Sequence, residues 1–196
     1  MIDQNFIWLA LVVALYGNFF YARDTLLGET KPNRVTFFLW GAAPLISFFA
    51  QKEGGGSIQI LYTLLIALMP FVILGASFYD KRAYWKITKF DVGCGTLSLV
   101  ALALLISTNQ PLLVLVFSVC ADFLAALPTL IKSFKYPHTE TTFAYATEIV
   151  SSAIVLLTIH NWAVINYFFA AYILFMNVLF TALLVFSPKR REPILN

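Results

Sequence analysis

Seven apolar runs constrain this chain more than any other feature of its sequence: 5–22, 35–51, 58–79, 92–107, 111–131, 142–159 and 163–187. At about 1.5 Å per helical residue, each crosses or nearly crosses a hydrocarbon layer about 30 Å thick. Backbone N–H and C=O groups find no water there, so each run must satisfy them internally as a helix. The breaks between runs are LLGETKPNR, KEGGGS, DKRAYWKITKFD, NQP, KSFKYPHTET and HNW, all rich in turn formers or charge. Composition agrees: of 196 residues 60% are hydrophobic and 12% charged, against about 25% charged in soluble domains. An all-α membrane protein of seven transmembrane helices is expected, with the lipid bilayer as its main partner and no separate soluble domain.

Charge placement orients these helices. Seven crossings put the N-terminus and the second, fourth and sixth loops on one side, with Lys52 as its one basic residue. The other side holds Arg23, Lys31, Arg34, Lys81, Arg82, Lys86, Lys89, Lys132, Lys135, Lys189, Arg190 and Arg191. Cytoplasmic loops collect Lys and Arg, so the N-terminus is expected outside and the C-terminus in the cytoplasm. Short loops and small size point to a bacterial inner membrane. Tyr84, Trp85, Tyr136, Trp162 and Tyr167 lie near span ends, where amphipathic rings anchor. The segment MIDQNFIWLALVVALYG lacks a basic start and reads as a first span, not a cleaved signal. Cys94 and Cys120 fall in apolar segments, where a thiol behaves as a small hydrophobe.

An internal repeat organises the spans. Shifting the chain by 105 positions pairs Pro32 with Pro137, Thr36 with Thr141, Phe38 with Phe143, Trp40 with Tyr145 and Ser47 with Ser152. Both hairpins start outside, turn inside at a basic, proline-containing loop and continue into a third helix. Two such units face the same way only if one helix reverses the chain between them. The fourth run, with Gly93, Cys94, Gly95, Ser98 and Ala101 small enough for close packing, suits that role. The expected organisation is two parallel three-helix repeats, 1–79 and 111–187, joined by an inverting fourth helix in 80–110 and followed by a tail at 188–196.

In this topology the chain resembles the PQ-loop and SWEET transporter superfamily, over essentially its whole length. The family's signature is a Pro-Gln pair in the first and fifth helices. Here Pro128 is followed by Thr129, and YGNFFYARD in the first helix has no proline, which marks a divergent member. The resemblance implies alternating access around a central pocket between the repeats. It also implies proton binding by an Asp in the fifth helix and a pocket Asn on the third helix of a repeat, which favours Asp122 and Asn177.

Asp122 and Glu148 are the two carboxylates inside apolar runs, about halfway along the fifth and a third of the way up the sixth. An ionised side chain in hydrocarbon costs at least about 2.5 to 3.5 kcal/mol, which makes each a candidate for proton or cation binding. The competing reading is an acid hydrogen-bonded to a neighbouring helix to fix packing. Asn18 and Asn177 offer donors and an acceptor at depth, for a solute or for a neighbouring helix. Tyr145, Glu148, Ser151 and Ser152 share a face of the sixth helix, as Trp40, Pro44 and Ser47 do on the second. Trp40 and Tyr145 suit either a clamp around a solute or ordinary aromatic packing. Asn18, Trp40, Tyr145, Asn177 and Ser152 are therefore the candidate solute-binding residues. Pro44, Pro70 and Pro128 interrupt helices and are candidate hinges.

Other chemistries are not signalled. No lysine is expected inside a span to form a Schiff base, and His138 and His160 lie at span ends, which disfavours bis-histidine haem. There is no metal-ligand spacing, P-loop or nucleophile elbow, so neither a metal, a cofactor nor an enzyme activity is expected. The basic loops suit headgroups rather than nucleic acid. The expectation is a transporter of a small polar solute coupled to protons; the alternative is a receptor or assembly factor of the same fold that uses the inner loops and the tail SPKRREPILN for partners. A homo-oligomer is compatible with either.

Overall fold

The computed structural model describes residues 1–105 and 110–187. Among them are seven α-helices: α1 (Phe6–Leu26), α2 (Arg34–Glu53), α3 (Ile60–Ala76), α4 (Lys89–Leu105), α5 (Pro111–Lys135), α6 (Thr142–Leu157) and α7 (Val164–Phe186). Single 3-10 turns occupy Lys81–Ala83 and Pro137–Thr139, and no strand occurs among the described residues. The chain is thus all-helical, as expected. Helices α1, α5 and α7 are long and apolar enough to cross a membrane, while α3 and α6 are apolar but shorter. The tail at 188–196, with Lys189, Arg190 and Arg191, lies outside the described residues, as does most of the break before Pro111.

Helix α1 shows how the residues distribute. Ile7, Ala10, Ala14, Gly17, Tyr21 and Thr25 are buried at three- and four-residue spacing. Phe6, Leu9, Val12, Tyr16 and Phe19 form the opposite face and are exposed. Large apolar side chains outside and small residues inside invert the pattern of a soluble helix and suit packing in lipid.

Local chemistry places the starts of α2 and α5. The Asn33 side chain accepts from the Val35 and Thr36 amides and starts α2, while its amide donates to Asp91 of α4 at 2.8 Å. Pro111 occupies the first turn of α5, where its missing N–H costs nothing. The fifth helix runs past the expected end at 131 to Lys135, so Lys132 belongs to a helix and not to the loop. Pro137 starts a 3-10 turn, and α6 begins only at Thr142.

Helix α3 packs against α1 and α2, and α7 against α5 and α6. Helix α1 lies on α6, α2 on α5, and α4 on α5 and α2. Hydroxyl groups bond across these contacts: Ser151 to the Ala10 carbonyl at 2.7 Å, Ser47 with Ser118 at 2.6 Å, Thr36 to the Ala125 carbonyl at 2.8 Å and Ser98 to the Ala121 carbonyl at 2.8 Å. Between two apolar helices in lipid, burial offers no net drive, so such bonds and close backbone approach hold the bundle.

The α1–α6 crossing depends on Gly17. A Cβ there would lie 1.8 Å from Thr147 Oγ1, 3.0 Å from Thr147 Cβ and 3.3 Å from the Ala144 Cα, so the Thr147 side chain would have to turn away and α6 to yield by a few tenths of an ångström. Gly17→Ala is expected to destabilise the protein by about 1 to 3 kcal/mol, the usual cost of overpacking. Thr147→Ala, which removes the nearest atom, should restore part of that loss. Thermal unfolding of both single variants and the double variant in detergent measures this.

Candidate functional site

Six helices, all except α4, contribute to the lining of a central cavity of about 90 Å³. The two acids face it together: Asp122 from α5 and Glu148 from α6. Each is tied to a phenol. The Tyr172 hydroxyl of α7 donates to Asp122 Oδ2 at 2.6 Å, and the Tyr62 hydroxyl of α3 donates to Glu148 Oε2 at 2.9 Å. Glu148 Oε1 accepts from Asn18 Nδ2 of α1 at 2.7 Å. Both Glu148 oxygens are therefore bonded, whereas Oδ1 of Asp122 accepts nothing from the described residues.

Asn18 also donates to its own helix, at the Ala14 carbonyl, 2.9 Å away. Asn177 likewise donates to the Ile173 carbonyl at 2.8 Å and lines the cavity. Trp40 and Tyr145 line it too, but Phe180 stands between them. Phe180 stacks on Tyr145 with ring centroids 4.8 Å apart and meets Trp40 edge-on at 5.5 Å. The expected aromatic clamp is filled by the protein's own ring.

The remaining candidates separate. Ser152 is buried but does not line the cavity; its hydroxyl donates to the Glu148 carbonyl at 2.6 Å, as a serine in an apolar helix commonly does. Ser151 is spent on α1, so the polar face of α6 reaches the cavity only through Tyr145 and Glu148. Pro70 of α3 lines the cavity, Pro128 of α5 faces a second cleft at the end bearing the basic loops, and Pro44 is buried within α2. Cys94 and Cys120 are free thiols. Among the described residues no group of His, Cys, Asp or Glu is placed to hold a metal.

Below the cavity, at the same end, lies a polar cluster centred on Glu140. Lys132 Nζ is 2.6 Å from Glu140 Oε1, with side-chain exposures of 1% and 0%. Tyr21 and Tyr145 donate to Glu140 Oε2 at 2.5 and 2.8 Å. Lys132 also donates to the Lys31 carbonyl and, at 3.4 Å, to the Thr139 carbonyl. The first and fifth loops are joined directly by the Lys31 amide to the Thr139 carbonyl at 3.0 Å and by Thr30 with Thr141 at 2.7 Å. At the opposite end Gln59 donates to the Thr158 carbonyl at 3.0 Å and Asn166 accepts from the Ser57 amide at 3.1 Å. Hydrogen bonds thus link the 1–79 and 111–187 segments at both ends of the cavity.

Residue spacing did not single out Tyr62, Tyr172, Phe180, Lys132 or Glu140. Tyr62 lies 86 positions from Glu148, a separation no local periodicity registers. Glu140 sits in TET beside turn formers and reads as a solvated loop acid, although the fold covers it.

No protein-family model matches the chain, and comparison with characterised proteins and with solved structures found no match.

A buried ion pair is sensitive to losing one partner. Lys132→Met leaves Glu140 without its counter-charge and is expected to destabilise the protein by about 3 to 5 kcal/mol. The double variant with Glu140→Gln, whose amide oxygen still accepts from Tyr21 and Tyr145, should recover most of the loss. Thermal unfolding of the set in detergent supplies the comparison.

Proposed function

We propose that this protein is a multi-pass membrane transporter that moves a small polar solute by alternating access, coupled to protons. The carrying observation is that Asp122 and Glu148, from different helices, face one cavity together with Asn18 and Asn177. A packing role for either acid does not call for a shared cavity. An acid pair with no Lys, Arg or His in the lining favours a proton or a cationic group and disfavours anionic solutes.

Seven spans in two parallel repeats fit the helix contacts. Exchanging α1, α2 and α3 for α5, α6 and α7 turns the α1·α3, α2·α3 and α1·α6 contacts into α5·α7, α6·α7 and α5·α2, all of which occur. Shifted by 105 positions, the starts of α1, α2 and α3 fall at 111, 139 and 165, against starts of 111, 142 and 164 for α5, α6 and α7. Helix α4, which lines no part of the cavity, suits the inverting linker. In this reading the excess of basic residues favours the cytoplasmic side for the Glu140 cluster, and the host membrane is a bacterial inner membrane. This is also the organisation the resemblance to the PQ-loop and SWEET superfamily implies.

The observed state is contracted. A cavity of about 90 Å³ is smaller than the engineered one of about 150 Å³ that accepts benzene. Solute entry therefore requires expansion, with Phe180 leaving the space between Trp40 and Tyr145. Opening inward requires the Lys132–Glu140 pair to separate into water. Pro44, Pro70 and Pro128 are the interruptions at which α2, α3 and α5 bend.

The test is solute-dependent proton flux in liposomes, over pools of amines, amino acids, sugars and vitamin precursors. Flux is expected with at least one pool, to fall tenfold or more in Asp122→Asn and to slow in Glu148→Gln. Silence with every pool, together with no tracer uptake by folded wild-type protein, would overturn transport and favour a receptor or assembly factor.

A further inference from the structure

A second space among the described residues is larger than the central cavity. A cleft of about 410 Å³ opens between the Tyr84–Asp91 segment and the end of α5, within the range of about 300 to 1,000 Å³ typical of small-molecule sites. Four lysines line it: Lys31, Lys86, Lys132 and Lys135. Lys86 and Lys135 are exposed, and neither forms an ion pair among the described residues. The one carboxylate in the lining, Asp91, is already engaged by Asn33 at 2.8 Å and by the Thr88 amide at the start of α4. Lys86 and Lys135 therefore present positive charge that Asp91, the acid of the lining, does not pair among the described residues.

Its other wall is aromatic and apolar. Trp85 and Tyr136 face each other with centroids 5.5 Å apart, and the Trp85 ring lies 4.9 Å from Lys132 Nζ. Pro128 and Ile131 continue this wall along α5, where Ile131 and the neighbouring Phe134 are exposed. Lysines beside interfacial aromatics, opening onto an apolar helix surface, match a ligand with an anionic head and an apolar tail. We propose that this cleft is a binding site for a phosphate-bearing anion, with Lys86 and Lys135 contacting the phosphate beside the packed rings of Trp85 and Tyr136. The exposed apolar continuation along α5 fits a phospholipid headgroup as the source of that phosphate. The site is separate from the transport reading, because neither acid of the central cavity takes part. Lys132 lies in both this cleft and the Glu140 cluster, so an occupant would sit beside the ion pair that closes that end.

The test uses full-length protein in detergent micelles and native mass spectrometry. Wild type is offered equal amounts of phosphatidylglycerol and phosphatidylcholine, with and without excess glycerol phosphate. The expected result is one phosphatidylglycerol retained per chain, at least fivefold over phosphatidylcholine, with the preference lost in the Lys86→Gln, Lys135→Gln double variant. Both positions are exposed, so the variant is expected to unfold at the wild-type temperature. Retention that glycerol phosphate does not displace supports the lipid source. Glycerol phosphate bound in place of lipid, and lost in the same variant, supports the phosphate site and assigns it a soluble ligand. Equal retention of both lipids with no glycerol phosphate bound, or a preference unchanged in the folded double variant, would overturn the proposal.

Discussion

The arrangement of this bundle rests on one buried ion pair. Lys132 and Glu140 are held 2.6 Å apart with almost no exposure, and removing two charges from water costs several kcal/mol per ion. That cost is offset only if every remaining donor and acceptor is occupied. Here the Tyr21 and Tyr145 hydroxyls bond the second carboxylate oxygen, while the Lys31 and Thr139 carbonyls take the other ammonium protons. Those partners come from α1, the first loop, the fifth loop and α6. The pair therefore requires all of them in register at once. A partly separated pair would retain the desolvation cost and lose the attraction, so intermediate openings are disfavoured. The basic-loop end is closed in this structure; under the transport reading its other stable arrangement would be one opened far enough for water to reach both charges. A bistable element of this kind is what an access cycle requires.

The rest of the bundle is held by weaker means. Gly17 lets α1 and α6 approach, and serine and threonine hydroxyls bond carbonyls across α1–α6, α2–α5 and α4–α5. Such bonds in a membrane average under about 1 kcal/mol each. A sliding or tilting helix can exchange one for another, whereas the Lys132–Glu140 pair is held by partners from four elements at once. Motion at the basic-loop end is therefore more costly than along the helix contacts.

Much of this was legible in the chain, for physical reasons. Apolar runs in a membrane-type composition have to be helices, and the expected boundaries lie within a few residues of those found. Asp122, Glu148, Asn18 and Asn177 stood out because polar groups are rare in such runs, and they do meet at one cavity. Ser152 did not follow, because a serine in an apolar helix bonds its own backbone as readily as it faces a cavity. Trp40 and Tyr145 do line the cavity, but one-face spacing cannot reveal that Phe180 of another helix packs between them. Glu140 and Lys132 were unreadable for a related reason. Their sequence neighbours are turn formers and charges, and only the extension of α5 to Lys135 and the closing of the first loop over the fifth bury them.

The two central acids are wired differently, and that difference assigns them different work under the transport reading. Among the described residues the Asp122 carboxylate accepts only from Tyr172, and α5 and α7 both lie in the 111–187 segment. A proton or cation arriving at its unbonded oxygen changes little outside that segment. Glu148 joins Asn18 of α1 and Tyr62 of α3 to α6, so its bonds cross from the 1–79 segment to the 111–187 segment. Protonation converts an acceptor-only carboxylate into a group with a donor of its own. The two donors already aimed at Glu148 then no longer both find an acceptor of equal strength. The contact between the segments weakens at mid-height, while the tyrosines of the Glu140 cluster still hold the end. Asp122 is suited to loading, and Glu148 to transmitting the loaded state to the interface that must move.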